Sequence, residues 1–484
     1  MELMQRVFFT ALSALTVCYA LIKFSLGYWK RRGILHEKPK FLWGNIKGVV
    51  SGKRHISEAL HTIYESYKGR APFVGCYALL KPYILVLDLK LAQQILVSHA
   101  GHFTSRGLYN NVDLEPLSGN LLQLDGHKWR SLHAQSSQVF TNSNIQKLLP
   151  RLLQLSRQLQ FRLGEQKLQG LNISKLVNGY NTDVIAALAY GLLGEEPQFN
   201  QLTHCYWQNF SLWRNYLALE FPLLARLFQH RSYEPSVMDY FHKLALTQLD
   251  QQRRRDRQPL QTFLQLYTQA ELRETQIAAQ AFSFILAGLS PLNATLSFCL
   301  YELALQPELQ ERLRTEINKV LGQHKGELTA ECLQDLIYAK QTLKETLRLH
   351  TPYAFLIRRT TKDFEVAKSV FMLARGNNIV IPVAAIHRDP SIYADPLRFD
   401  PDRFNPSAEL NRSAMSFLPF GAGLRGCIAQ QFAEKQLLIG LVNLLQHHKY
   451  APCAETQIPL QYDTRKLLLV PKVDIQLSVE RVSC

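Results

Sequence analysis

Phe420-Gly421-Ala422-Gly423-Leu424-Arg425-Gly426-Cys427 delivers one cysteine from a glycine-rich turn onto the start of an apolar-periodic run. The pattern F-x-x-G-x-R-x-C suits a thiolate that ligates haem iron. Such a sulfur must leave its loop facing the metal, and glycines allow the backbone that close approach. Arg425 can neutralise a carboxylate of the macrocycle, and Phe420 can shield the sulfur from water. The alternative is a glycine-rich loop capping a helix, with a buried and inert cysteine. Of the eight cysteines, the others (Cys18, Cys76, Cys205, Cys299, Cys332, Cys453 and Cys484) are scattered without a C-x-x-C pair. That argues against a zinc site or a disulfide framework and for reduced thiols facing cytosol.

A second constellation involves charge. Glu345-Thr-Leu-Arg348 sets a carboxylate and a guanidinium on one face of a predicted helix. Alone, that reads as a surface ion pair of little consequence. Arg403, in Phe399-Asp-Pro-Asp-Arg-Phe404, adds a second cation ahead of the cysteine loop. One carboxylate between two guanidiniums makes a clamp able to pin that meander to the helix.

The elements that position these residues are mostly helical. The periodicity predicts a long, largely apolar helix over Ile277 to Leu305, too polar at its ends to be a second membrane span. Further helices are predicted from Pro307, over Leu333 to Leu349, and over Ile428 to His447. Strands are predicted at Tyr83 to Leu87, Asn378 to Pro382, Leu467 to Val470 and Val473 to Val479. The fold class is therefore mainly α with a minor β-sheet portion.

The amino end reads as an N-terminal transmembrane anchor. Val7 to Ile22 holds only Thr and Ser as polar members, and counting on through Trp29 gives about the twenty residues a span needs. Lys23 can snorkel. Lys30-Arg31-Arg32 follows directly and puts the remainder on the cytoplasmic side. The alternative, a cleaved signal peptide, lacks a convincing small-x-small site near Trp29. The body has no Pro/Gly/Ser-rich linker or repeat, so residues 1–29 are expected to anchor one large domain spanning residues 30–484. The formal net charge is +16. No basic-aromatic motif of a nucleic-acid module accompanies it, so no nucleic acid partner is expected; an acidic protein or an anionic lipid surface fits better. Gln252 to Arg257, rich in arginine, reads as a solvated interhelical loop. Asn172-Ile-Ser and Asn209-Phe-Ser match the glycosylation pattern but would go unused in cytosol.

In order and spacing, E-x-x-R, P-x-R-F and F-x-x-G-x-R-x-C resemble the cytochrome P-450 family of haem-thiolate proteins, over essentially the whole chain. Trp129-Arg130, Ala287-Gly288 and Ala385-Ile-His-Arg-Asp-Pro390 match as well. Tyr28-Trp-Lys-Arg-Arg-Gly33, His36-Glu-Lys-Pro39 and Ile277-Ala-Ala-Gln-Ala-Phe282 resemble insect microsomal members of family six. The resemblance implies the cytochrome P-450 fold, haem b (iron protoporphyrin IX) and an endoplasmic-reticulum anchor with a cytoplasmic catalytic domain. It implies electrons from NADPH-cytochrome P-450 reductase, with cytochrome b5 as a further donor. Lipophilic substrates such as hormones, plant toxins and insecticides are implied too. By the same resemblance Cys427 is the axial metal ligand, Trp129, Arg358 and Arg425 face haem propionates, and Glu345, Arg348 and Arg403 form a structural triad. Phe420 and Gly423 shape the cysteine loop. Leu108 to Leu117, Leu212 to Phe221, Phe282 to Ile285 and Tyr353 to Ile357 would be pocket walls, although core packing explains many such residues equally well. Lys128 and Arg130, flanking Trp129, can help form a positive face for the acidic reductase, although a solvated helix face explains them equally well.

The chain departs from the family pattern in three places. Ala429 replaces a glycine after the cysteine, and His133 replaces an arginine that would bind a propionate, a weaker donor when neutral. The third matters most: after Ala287-Gly288, where the family presents an acid and a threonine, this chain has Ser290-Pro291. The usual pair delivers the protons that heterolytic O–O cleavage requires. Proline has no hydroxyl, lacks the amide that would bond to the Ala287 carbonyl, and crowds it, so the helix should open here. Ser290 is a candidate replacement donor; Thr295 lies a turn further on. The leading reading is a monooxygenase with Ala287, Gly288 and Ser290 at the reacting oxygen. A haem-thiolate isomerase or dehydratase of hydroperoxides and a low-turnover haem-binding protein are the alternatives.

Overall fold

The structure is a computed structural model and describes residues 1–164, 170–192, 194, 196–209, 212–254, 262–366 and 371–482, with the side chains of 206–213 left out. Cys484, Arg255 to Arg257 and the Phe210-Ser211 part of the second glycosylation pattern lie outside the described residues, as do the Leu212 and Trp213 side chains. The chain divides into two compact units. The first comprises Met1–Arg106, Ala354–Ile386 and Ser413–Arg425. The second comprises Gly107–Tyr353, His387–Arg412 and Gly426–Cys484.

The first unit is built on a four-stranded sheet in the order Phe73–Ala78, Lys81–Val86, Asn378–Ile381, Leu356–Arg359. A tight turn makes the first pair antiparallel, with Phe73 opposite Val86 and Ala78 opposite Lys81. The next pairing is parallel, Tyr83 to Asn378, and the last antiparallel, Leu356 to Ile381. Val74, Ile84, Leu85, Ile379 and Ile381 are fully buried, as β-branched and aliphatic residues should be in central strands. Two of these strands correspond to the predictions at Tyr83 to Leu87 and Asn378 to Pro382, the first starting two residues earlier and each ending one residue earlier; the other two carried too little alternation to be found. The helix Glu2–Leu26 leads into this unit and buries none of its side chains. It is long and apolar enough to cross a membrane. Its length comes from starting at Glu2. Trp29, counted with the anchor in the sequence, packs into the sheet instead: its indole N–H donates to the Cys76 carbonyl at 3.0 Å. A methyl on Gly75 would meet the Trp29 ring at 2.5 Å, so glycine is required there.

The second unit is helical around the helix Glu274–Leu305. Most of that helix is buried, which makes it a core helix. Asn142–Gly164, Ile173–Ala189, Ile337–Leu349 and Gln430–Leu445 contribute to the same hydrophobic core. Asn172 is the N-cap of Ile173–Ala189, accepting from the Lys175 amide at 2.8 Å, which accounts for an asparagine before Ser174 without any glycan. Three predictions need correction. The stretch Leu333 to Leu349 breaks at Leu336 into Ala330–Asp335 and Ile337–Leu349. Leu467 to Val470 is not a strand: Gln476–Arg481 pairs instead with His448–Pro452 and with Leu171–Asn172. Gln252, Arg253 and Arg254 are helical rather than looped, and the two arginines pair with Glu274 and Asp250.

Candidate active site

In the first unit, Gly423 has φ +66°, and a Cβ there would fall 1.6 Å from the Leu96 carbonyl oxygen. No side chain fits, so the cysteine loop can lie directly on the turn Gln94–Ser98. Phe420 is half-buried on the same loop. Arg425 is buried; its Nε donates to the Thr104 carbonyl at 2.7 Å, and its own carbonyl accepts from Arg106 Nη2 at 3.0 Å. Arg358, on strand Leu356–Arg359, is 4% exposed and donates from Nη1 to the Ile357 carbonyl at 2.8 Å.

These arginines share one electrostatic neighbourhood. Burial above all, then the Arg106 and Arg425 cations, pulls the Arg358 guanidinium down to about 9. Among the described residues no carboxylate acts on it. Gathering like charges away from water is unfavourable unless an anion joins them. A group bearing two carboxylates, as haem b does, fits this donor set. Arg358 and Arg425 are thus brought together as expected. Arg106 was missed, because a lone Arg-Gly in a turn carries no signal of its own.

In the second unit, Cys427 is an exposed thiol ahead of the helix Gln430–Leu445. Cys76 and Cys299 are different: burial pushes both thiols up to about 12, so they stay protonated and inert. The buried-cysteine alternative therefore describes those residues and not Cys427. Trp129 and His133 lie one turn apart on the helix Gly126–Val139, with ring centroids 5.0 Å apart. Trp129 is buried, while Lys128 and Arg130 on either side are exposed.

The helix Glu274–Leu305 opens where proline predicts. Glu274–Phe284 is regular, Ile285–Leu289 is a single π-turn, and Ser290–Leu305 resumes the α pattern. A π-turn reaches one residue further back than an α-turn, which relieves the carbonyl that Pro291 would crowd. Ala287 is exposed and Gly288 half-exposed. A methyl on Gly288 would touch only Ile185, at an unstrained 3.7 Å, so packing within the unit does not require glycine here. Thr295 is buried and its hydroxyl donates to the Pro291 carbonyl at 2.8 Å. That hydroxyl is committed to the helix, and Ser290, half-buried, is the hydroxyl left on the opened turn. Phe282 and Ile285 are fully buried, with Phe282 against Tyr233 and Phe241 at 5.3 and 5.6 Å. Both residues belong to the hydrophobic core of the second unit.

Glu345 and Arg348 are wholly buried and bidentate, at 2.7 and 2.8 Å. The surface-pair reading is excluded. Arg348 also donates to the His387 and Pro396 carbonyls at 2.7 and 2.8 Å. Glu345 accepts the Asp400 amide at 2.8 Å. Arg403 is a looser partner, 3.5 Å from Glu345 through Nε, and donates from Nη2 to the Asp395 carbonyl at 3.0 Å. The clamp is thus one bidentate arginine plus backbone, with Arg403 at its edge. Burial raises the Glu345 carboxyl despite Arg348.

Comparison with known proteins agrees with this geometry. Residues 36–479 match the family model described as Cytochrome P450. The chain is 66% identical over 485 residues to Probable cytochrome P450 6u1 of Drosophila melanogaster, covering 100% of this chain and 99% of that protein. It is 34% identical over 479 residues to Probable cytochrome P450 6a13 of the same fly, covering 96% of each. It is 32% identical over 490 residues to Cytochrome P450 6A1 of Musca domestica, covering 95% of each.

Proposed function

The chain belongs to the cytochrome P450 family and is a haem-thiolate monooxygenase, and from that premise we propose that it oxidises lipophilic small molecules, insect hormones or foreign compounds such as insecticides. NADPH is the electron source, through cytochrome P-450 reductase and with cytochrome b5 as a second donor. The helix Glu2–Leu26 anchors the protein in the endoplasmic-reticulum membrane. Residues 30–484 act together in the cytosol as one haem domain. Exposed Lys128 and Arg130 offer the acidic reductase a basic face. Nothing in the three relatives named above favours the hydroperoxide isomerase or the low-turnover haem protein.

Haem b held through a thiolate supplies reductive activation of dioxygen and oxygen insertion into unactivated C–H bonds. The residues of this chain do the rest. Cys427 is the thiolate ligand, with Phe420 limiting water at the sulfur and Gly423 letting the loop lie flat. Arg106, Arg358 and Arg425 bind the carboxylates of the macrocycle, assisted by Trp129 and His133. One oxygen atom of O2 leaves as water, so two protons must arrive with the electrons. Ser290 holds and passes those protons from solvent, because Thr295 donates to the Pro291 carbonyl instead. Ala287 and Gly288 keep the helix surface beside Ser290 open.

The observation that carries this reading is the arginine cluster around Arg358, which has cations and no carboxylate acting on its central member. The test is spectroscopic. The reduced protein treated with carbon monoxide should give the red-shifted Soret band of a thiolate-ligated haem. Cys427→Ser should abolish that band, and a band that survives would remove Cys427 from the role. In reconstituted turnover, NADPH consumption should track hydroxylated product.

A further inference from the structure

Asparagine is a poor helix former, yet three asparagines meet where helices of the second unit pack together. Asn178 and Asn181 stand one turn apart on Ile173–Ala189, and Asn293 stands on Ser290–Leu305. Asn293 accepts from Asn181 Nδ2 at 2.6 Å and donates to Asn178 Oδ1 at 2.6 Å. Asn181 accepts in turn from Gln436 Nε2, on Gln430–Leu445, at 2.8 Å. Asn181 and Gln436 are fully buried, Asn293 is half-buried and Asn178 is exposed.

Every bond in this amide ladder donates the same way, from Gln436 through Asn181 and Asn293 to Asn178. Turning over either inner amide would set nitrogen against nitrogen and oxygen against oxygen, so both orientations are fixed. Such a ladder is a costly way to hold helices together, since buried amides must all be paired and apolar side chains need no partner. Among the described residues, Gln436 Oε1 is buried with no hydrogen-bond partner, so part of that cost is left uncompensated. What a ladder of fixed amides supplies, and apolar packing does not, is a defined position.

That position is next to Ser290. Asn293 follows Ser290 by three residues, about 60° round the same helix, so the two share one strip. Ala287, three residues before Ser290, is exposed. The backbone holds the helix least firmly here, because Pro291 has no amide to donate and Ile285–Leu289 is a π-turn. The side-chain bonds of Asn293 are what fasten the helix just beyond that opening.

We propose that Asn293 is the positioning residue for the Ser290 hydroxyl. The amide ladder fixes the rotation of the helix beyond the opened turn, so that Ser290 stays between the exposed Ala287 and the anchored Asn293. The proposal rests on reading Ser290 as the proton carrier. It also joins the proton-carrying strip to Gln430–Leu445, the helix that follows Cys427.

The full-length, haem-loaded protein is tested with reductase, NADPH and ethoxycoumarin as probe substrate. Asn293→Ala should raise peroxide released per NADPH consumed a few-fold, with KM for the probe unchanged. Asn293→Asp still accepts from Asn181, and the exposed Asn178 can turn its amide to donate, so most of the ratio should return. In a Ser290→Ala background, Asn293→Ala should add no further leak. Without turnover, Asn293→Ala should speed amide hydrogen exchange over Ile285–Leu289 about tenfold and leave Glu274–Phe284 unchanged. Unchanged exchange overturns the proposal, as does a leak that adds to that of Ser290→Ala. If Ser290→Ala uncouples turnover and Asn293→Ala does not, the positioning role alone is lost. If Ser290→Ala leaves the ratio unchanged, the Ser290 reading fails and takes the positioning role with it. Should Asn293→Ala not fold, Asn178→Ala removes one bond at the exposed end and should give smaller changes of the same kind; silence in both measurements overturns the proposal.

Discussion

Two arginine clusters in this molecule use the same chemistry to opposite ends. Around Glu345, in the second unit, Arg348 finds a bidentate carboxylate and carbonyls from His387 and Pro396, all inside the protein. Around Arg358, in the first unit, the charges that act on the guanidinium are two more guanidiniums. The first cluster is complete as folded and holds the Asp400–Arg403 meander in place. The second places like charges around Arg358, and a group bearing carboxylates, as haem b does, fits it. Whether an arginine supports a fold or binds a ligand is decided by where its counter-charge resides, and burial alone cannot tell the two apart: both are nearly inaccessible.

The largest effect should come from breaking the complete cluster. Glu345→Ala leaves Arg348 buried without its carboxylate, and breaking such a pair costs about 3–5 kcal/mol. Little folded protein should accumulate, with or without added haem, as judged by thermal unfolding and soluble yield. Arg358→Gln should do the reverse in the haem-free protein. Arg358 remains charged at neutral pH with its pKa drawn down to about 9, so removing the charge relieves repulsion. The unfolding temperature of the apoprotein should hold or rise. The holoprotein should lose one charged hydrogen bond worth about 1.5–3 kcal/mol, roughly a ten- to hundredfold loss of haem affinity, measured by transfer to an acceptor protein. A drop in apoprotein stability would show that Arg358 has a counter-charge within the chain, and the contrast between the clusters would fail.

Acid should sharpen the comparison at intermediate scale. His387 beside Arg348 is lowered to about 3, by burial first and then by that cation. A buried neutral histidine contributes stability above its unfolded pKa of about 6.5 and loses it as pH falls toward the folded value. The raised Glu345 carboxyl works in the other direction, since it takes up a proton more readily when folded. His350, faced by Glu302, Arg388 and Tyr462, and His448 near His447, Arg481 and Arg314 are lowered as well. Unfolding followed between about pH 6.5 and 4 should therefore show falling stability, and His387→Asn should flatten that slope in part. An unchanged slope would mean that His387 is already charged in the folded cluster.

How much of this was legible beforehand depended on the range of the interaction. Motifs held within one loop or one helix were readable: Gly423, Arg425 and Cys427 in the cysteine loop, Glu345 and Arg348 three residues apart, and the opening of the central helix, which follows from what proline lacks. Elements closed by distant partners were not. Strand Leu356–Arg359 is short and depends on Asn378–Ile381. Arg106 enters the site only because the fold brings it to Arg425, 319 positions away in sequence. Phe282 was ambiguous because periodicity says that a face is apolar without saying what covers it; Tyr233 and Phe241 do.

The opened turn offers the finest version of the same question, applied to protons instead of charge. If Ser290 is the hydroxyl available there, Pro291→Thr should lower peroxide leak a few-fold by restoring a second donor, read as product formed per NADPH consumed. Thr295→Val should then cost only the hydrogen bond to the Pro291 carbonyl, about 1 kcal/mol of stability, and leave that ratio alone. Its hydroxyl already has its partner inside the helix, as Arg348 has its carboxylate inside the fold. If Thr295→Val uncouples turnover as strongly as Ser290→Ala, the hydroxyl that looks internally satisfied is the one carrying protons. An internal partner would then no longer be grounds for assigning a residue to structure.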